Sequence, residues 1–468
     1  MSYQIELFHN LLNEFLRGDS ALLTTDGDIL AVRGIDPVCC GTLTTAASTV
    51  IKYLKLQEGD VVLLNDPYSG GSVLSSFTFV TALSEDLLWA KTLHQQKQWT
   101  MVKSLEEEGL RIPPTPIRQN GKLNEMILSA MQGHPACPPQ FVDWLKEQCV
   151  SISKDCQRFL HTAETIDLDI TGDLIKEYFN LCKQVAMHKI TEAAPGDARV
   201  EVYLDGGDMI RLKMEVSDGH LNLDFSGTTT SKTVNLTDSA TYGTCFHWLA
   251  NYYGFLDFAN TGTFSVVHVT KPAGCLLQSK YPAPTMKGMS DGVAALQMAL
   301  QLAMSQIHSK REMAPSSVSP LRLQIKKDSH QLSLALPGGK GAAITREGKS
   351  ACGLCETMSV ERLEREFPLV VQRLDYRTDS GGKGKFNGGK GLTLKFAAME
   401  DVEITWMSDL NVHKPRISKN CTHGDNNEVS LQTSEGLKQL PPQGHLKLKA
   451  GDIPTFSSGS GGGWGKQS

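Results

Sequence analysis

The chain has 468 residues, 40% of them hydrophobic and 21% charged, which excludes a disordered polymer and leaves room for two or three domains with cores of their own. A formal net charge of −5 supplies no basic field, so no nucleic-acid partner is expected. No apolar stretch approaches a membrane span, Met1 to Leu7 carries no basic or apolar leader, and eleven scattered cysteines lack framework spacing; the expectation is a cytoplasmic chain with no membrane partner.

In chain order, Ile5, Phe8, Leu11, Leu12, Phe15 and Leu16 recur at helical spacing and predict an amphipathic helix over 4–16. Leu22 to Val32 reads as two strands around the Asp26-Gly27 turn, and Thr42 to Leu54 as a second helix. Val61-Val62-Leu63-Leu64 is too short for a helix and predicts a buried strand. It ends in Asn65-Asp66-Pro67-Tyr68-Ser69-Gly70-Gly71, where Asp-Pro sets a turn and the paired glycines permit positive φ or close backbone approach. A strand that delivers an acid, a phenol and bare backbone to one rim can build a site, with Asp66 and Tyr68 as candidate catalytic residues. Strands follow at 75–82 and 87–93, then the extended proline-rich run Gly109 to Pro116.

Helices are predicted from Asn124, from Pro139 to His161 and from Asp173 to Ala193. From Ala198 the pattern turns to alternating strands, with helices again at 241–258 and 288–309. Strands and glycine turns dominate the remainder, densest at Arg377 to Gly391 and Ser457 to Gly465. The fold expected is an α/β N-terminal domain (1–120) with a helical segment (121–194), then an α+β domain (195–315) and a β-rich glycine-turn domain (316–468). Three ambiguous features read as structural: Cys352 with Cys355, the lysines Lys383, Lys385 and Lys390 on a solvated hairpin, and His220, His247 and His268.

The ordered set Asn65-Asp66-Pro67-Tyr68-x-Gly70-Gly71, Glu108-Gly109-Leu110-Arg111-Ile112-Pro113-Pro114 and Asp224-Phe225-Ser226-Gly227-Thr228 resembles the hydantoinase B/oxoprolinase family. Asn260-x-Gly262-x-Phe264, Pro282-Ala283, Phe367-Pro368, Ser380-Gly381-Gly382 and Gly461 to Gly465 extend the likeness over residues 5 to 465. The resemblance implies one half of an ATP-dependent enzyme acting on a cyclic amide such as a hydantoin, 5-oxoproline or a lactam. ATP and magnesium would reside on a hydantoinase A-type partner in a hetero-oligomer, since this chain has no Walker loop. It also implies Asn65, Gly70, Gly71, Arg111, Ser380, Gly381 and Gly382 as substrate- or backbone-site residues around Asp66 and Tyr68.

Metal-bearing relatives are expected to draw ligands from an acid in the first strand, a Thr-His-Leu-Pro-Asp stretch after the paired glycines, and a His-His-Ala-Asp stretch beyond. Here Val73 and Ser76 occupy the His and Asp positions, and His94-Gln95-Gln96-Lys97 is the counterpart of the last stretch. Arg17 falls at the first-strand acid unless the register shifts by two to Asp19, and Arg17 or Lys97 turned inward would repel a dication. The expectation is therefore no metal on this chain and a structural or supporting role. Zinc or manganese would enter only through a reassembled set such as Asp19, Cys39 and His94. The alternatives are a metal-independent module for a small molecule, or a subunit of an ATP-dependent ketone carboxylase.

Overall fold

The computed structural model describes residues 3–94, 102–317, 319–328, 330–352 and 359–466. Helix α1 (Tyr3–Phe15) buries the stripe Ile5, Phe8, Leu11, Leu12 and Phe15. Strands β1 (Ser20–Thr24) and β2 (Ile29–Arg33) turn through Gly27 at a φ of 97°. After α2 (Cys39–Tyr53) come β3 (Val61–Leu64), β4 (Ser76–Ala82), β5 (Leu87–His94), β6 (Thr115–Gln119) and β7 (Lys122–Leu123). They form one sheet in the order β2-β1-β5-β4-β3-β6-β7, with every neighbouring pair antiparallel.

Both faces of this sheet are covered, which is why its strands read as continuous apolar runs rather than alternating ones. Leu64, Val80 and Ala90 meet α2 on one side, while Leu63, Phe79 and Trp89 meet α1 on the other. The second face is completed by α3 (Glu125–Gln132), α4 (Phe141–Thr165) and α5 (Gly172–Thr191).

Strands β8 (Gly196–Tyr203), β9 (Met209–Ser217) and β10 (His220–Asp224) then alternate buried and exposed residues. They precede α6 (Asp238–Tyr253), the short α7 (Thr261–Phe264) and β11 (Val267–Thr270), which lies parallel to β10 at the edge of a four-stranded sheet. A π-helical turn, Gly288–Gly292, leads into α8 (Val293–Ile307), which is buried along most of its length. Helices α2 and α6 cross where side chains are absent: a Cβ on Gly41 would lie 1.9 Å from Ser239 O, and one on Gly243 2.3 Å from Val38 O. One apolar cluster consequently runs from β1 through α2 and α6 to α8.

The C-terminal part holds β12 (Leu321–Lys327), β13 (His330–Leu336), α9 (Val360–Glu366), β14 (Leu369–Tyr376), β15 (Leu392–Ala398) and β16 (Val402–Met407). It ends with β17 (Glu428–Thr433), β18 (Gly436–Leu440), β19 (Gly444–Leu448) and β20 (Ile453–Ser457). Two sheets, β13-β12-β16-β19 and β14-β15-β20-β17-β18, share a core that includes Leu323, Ile404, Phe396 and Phe456. Beside them the glycine-rich segments 338–341, 381–391 and 459–463 interlock through main-chain bonds, among them Gly461 N to Gly389 O, Gly389 N to Lys340 O and Gly382 N to Gly461 O, each 2.9 Å. A Cβ on Gly461 would sit 1.9 Å from Lys340 O, and one on Gly388 1.8 Å from Gly461 O, so these backbones approach only because they are bare.

A buried charge network joins the turn before α8 to the C-terminal part. Asp291 accepts from Arg322 Nη2 at 2.8 Å and from Lys287 Nζ at 2.7 Å, and Lys287 also reaches Asp409 at 2.6 Å. These cations hold the Asp291 carboxyl far below the usual range despite its complete burial. Among the described residues, no helix is long and apolar enough to cross a membrane, and the described cysteines are all free.

Candidate functional site

The turn after β3 folds inward because each of its polar groups finds a partner there. Asn65 Nδ2 donates to Leu74 O and Leu110 O, both at 2.7 Å, while its Oδ1 accepts from Ile112 N at 2.6 Å. Asp66 Oδ1 accepts from Tyr68 N at 3.0 Å, and Oδ2 from Ser69 Oγ at 3.0 Å and Arg111 Nη2 at 2.8 Å. The Arg111 guanidinium lies 4.5 Å from the centre of the Tyr281 ring. Gly70, at a φ of 105°, touches α2: a Cβ there would stand 2.2 Å from Ala46 N.

Tyr68 reaches across to the loop 279–286, donating to Ala283 O at 2.8 Å, with Ser279 Oγ 3.3 Å away. Burial pushes its phenol up, and the charges of Glu108 and Asp66 add to this. A cleft of about 250 Å³ opens beside it, bounded by Thr45, Tyr68, Thr237, Ser239, Ser279 and Lys280 at the start of α6. Glu108 is buried under the far end of the same loop. Its Oε1 accepts from Thr285 N and Met286 N at 2.7 Å, yet burial without a cation raises its carboxyl to about 7.

Asn65, Asp66, Tyr68, Gly70, Gly71 and Arg111 are thus brought together, but as a self-satisfied turn. Oδ1 of Asp66 takes one protein donor and Oδ2 takes two, so three of the roughly four acceptor positions of this carboxylate are filled by the turn and Arg111. Ser380, Gly381 and Gly382 do not join them. Ser380 accepts from Ser460 Oγ, and Gly381 and Gly382 pack against Gly388 and Gly463 inside the C-terminal interlock. Lys383, Lys385 and Lys390 point to solvent from the long β14–β15 connection. Cys355 and residues 95–97 lie outside the described residues.

A second cluster sits at the N-terminus of α2. Asp19, just before β1, is buried and accepts from Ile35 N at 2.8 Å and Asp36 N at 3.1 Å on Oδ1, while its Oδ2 is 2.8 Å from His94 Nε2. Burial pushes Asp19 up, but the bond from His94 and the two amides overcome it and hold the carboxyl low. Ser76, the cross-strand partner of His94, lies 2.7 Å from His94 Nδ1. Val73 is buried and brings no donor. Arg17 does not point inward: it is exposed and donates to Glu14 O at 3.2 Å, so of the two first-strand candidates Asp19 is the one that turns in.

Asp36, which sequence reasoning passed over, completes a group in which one ligand-capable atom each of Asp19, Asp36 and His94 lies within 4.8 Å of the others. Cys39 faces them. The bond with Cys40, full burial and the charges of Asp19 and Asp36 hold its thiol well above the ordinary range. His247 on α6, read from sequence as structural, also faces Asp36 and Asp19; burial lowers its imidazole against their pull. The signal for Asp36 was the Asp-Pro step that starts α2, a position that an alignment centred on the paired glycines does not reach.

The sequence model of the Hydantoinase B/oxoprolinase family matches residues 12–467. An uncharacterized protein of Methanocaldococcus jannaschii is 26% identical over 95% of this chain and 84% of its own length. The 5-oxoprolinase 1 of Arabidopsis thaliana is 23% identical over 97% of this chain, which spans only 39% of that protein. The caprolactamase subunit beta of Pseudomonas jessenii is 22% identical over 78% of this chain and 69% of its own. Among solved structures, the ATP-dependent caprolactamase from Pseudomonas jessenii superposes with a TM-score of 0.78 at 20% identity, covering 99% of this chain and 89% of that one. A nucleotide-free acetone carboxylase gives the same TM-score at 12% identity, covering 99% and 73%.

Proposed function

Because the chain belongs to the hydantoinase B/oxoprolinase family, we propose that it is the B-type subunit of an ATP-dependent hydrolase of cyclic amides, paired with a hydantoinase A-type subunit that carries ATP and magnesium. Phosphorylation of the amide oxygen by the partner would turn a poor leaving group into a good one, so that ring opening needs only a positioned nucleophile. The relative named as a caprolactamase subunit beta supports the substrate class and the subunit organisation.

The role proposed for this chain is supporting rather than catalytic. The observation that carries it is the stretch after the paired glycines, where Val73 offers no donor and the Ser76 hydroxyl is spent on His94. Asp66 and Tyr68 likewise hold the wall of the cleft together. Co-expression with an A-type subunit, followed by size exclusion and a phosphate-release assay on 5-oxoproline, hydantoin and caprolactam, tests the reading. A complex whose ATP-dependent ring opening needs both chains is expected. Turnover by either chain alone, failure to associate, or consumption of acetone and bicarbonate instead would overturn it.

A further inference from the structure

The protons of the cleft beside Tyr68 can be accounted for one by one. Tyr68 Oη donates to Ala283 O at 2.8 Å and Ser279 Oγ to Leu236 O at 3.0 Å, so these two lining oxygens, 3.3 Å apart, keep only lone pairs to offer. A single N–H would serve both. Gln278 and Lys280, which also line the cleft, are in the reverse position. Among the described residues neither side chain forms a hydrogen bond or an ion pair, nor does the Thr45 hydroxyl, so three groups able to donate lack an acceptor. The carboxylate on the lining, Asp238, is engaged by Lys271 at 2.9 Å, which leaves the Lys280 ammonium as the uncompensated charge. At about 250 Å³ the cleft lies below the roughly 300–1,000 Å³ of pockets for drug-sized molecules and suits a single ring, with Pro67 and Ala273 as its apolar contacts.

Paired acceptors, free donors and one cation match a molecule that carries an N–H, a carbonyl beside it and a negative charge. We infer that this cleft seats the ring of the cyclic amide, with its N–H between Tyr68 and Ser279 and its carbonyl on Gln278 or Thr45, and that Lys280 selects rings bearing a carboxylate over uncharged lactams. The inference rests on the proposed cyclic-amide chemistry and adds that the ring is recognised on this chain rather than on the partner. A bond between an ammonium and a carboxylate is charge-assisted and stronger than one between neutral groups, so the discrimination falls chiefly on Lys280. Tyr68 acts here as a positioning residue: by spending its proton on Ala283 O, the phenol becomes an acceptor. Seating the ring asks no bond-making of the chain, in keeping with a supporting subunit.

Isothermal titration of the full-length chain, without a partner, supplies the test. It compares 5-oxoproline with 2-pyrrolidinone, the same ring without the carboxylate, and with N-methyl-5-oxoproline, which lacks the N–H. One site per chain is expected for 5-oxoproline, with either analogue at least about ten-fold weaker. Lys280→Met, at an exposed side chain whose loss folding tolerates, should weaken 5-oxoproline about ten-fold, leave 2-pyrrolidinone unchanged and melt as the wild type does. No saturable binding of 5-oxoproline, equal affinity for the two rings, undiminished affinity for the N-methyl analogue, or an unchanged preference in Lys280→Met would each overturn the assignment. None of these results touches the proposed complex, whose failure reads separately as absent ring opening by the co-expressed pair.

Discussion

Asp66 and Arg111, 45 positions apart, meet in a 2.8 Å ion pair whose acid is almost fully buried and whose guanidinium covers Tyr281. The pair welds the turn after β3 to the strap that follows Glu108, and both to the loop at 281. Its importance is mechanical. Asp66→Ala should cost about 2–4 kcal/mol by stranding Arg111 and uncapping the Tyr68 amide, seen as a lower urea midpoint and poorer assembly. Loss of turnover in a complex of normal stability and stoichiometry would contradict the supporting role.

Glu108 makes stability depend on pH. Burial raises its carboxyl from an ordinary value near 4.5 to about 7, so the folded chain favours the neutral form. Its stabilising contribution is full below the unfolded value of 4.5 and is lost as pH climbs through 7. Glu108→Gln stays neutral throughout and can still accept from Thr285 and Met286. Between pH 4.5 and 8 the wild type should lose at most about 3 kcal/mol relative to this variant. Parallel stability curves across that window would refute the assignment.

The glycine interlock should be intolerant of a single methyl. Gly461→Ala drives a Cβ to 1.9 Å from Lys340 O, where three bare segments leave nothing flexible to yield. A loss of about 3 kcal/mol or more is expected in chemical denaturation. Gly206→Ala, where a Cβ meets nothing within 4 Å, is the matched control and should fall within about 0.5 kcal/mol of wild type.

Lys287 bridges two buried carboxylates, and Lys287→Met would leave Asp409 and half of Asp291 uncompensated. About 3 kcal/mol of destabilisation should follow. Because Asp291 is held so low by its cations, the wild-type network should survive mild acid, and the deficit of the variant should stay constant from pH 5 to 8 in calorimetry.

Local patterns carried the helices and strands well. The α1 stripe, the Asp26-Gly27 turn and the buried run Val61 to Leu64 each follow from spacing and turn chemistry that neighbours in sequence already contain. The continuous apolar run of Val61 to Leu64 signals burial on both faces, but which helices supply the cover was not visible in it, because α2 and α1 arrive from different parts of the chain. The candidate site was legible as a set of residues but not in its use. Asp66 and Tyr68 look reactive until partners at 111 and 283 are seen to occupy them. Glu108 owes its perturbation to burial, which outweighs the opposing bonds from amides 177 and 178 positions away. Ser380, Gly381 and Gly382 resemble a ligand cradle because bare backbone serves close packing and ligand approach equally well. Asp19 and Arg17 differ by two positions, and only the path of the chain into β1 shows which side chain turns inward.

The central thread of that interlock is its latest-made piece. Residues 459–463 run between the strips at 338–341 and 381–391, which therefore emerge from the ribosome well before the segment that ties them. During synthesis the sandwich of β12 to β20 must wait with an open seam, its main-chain donors and acceptors wet, until the last glycines arrive. Ribosome-stalled chains ending near residue 450 should accordingly show a protease-resistant N-terminal part and a cleavable C-terminal one, and release of some fifteen further residues should close the seam in a single step.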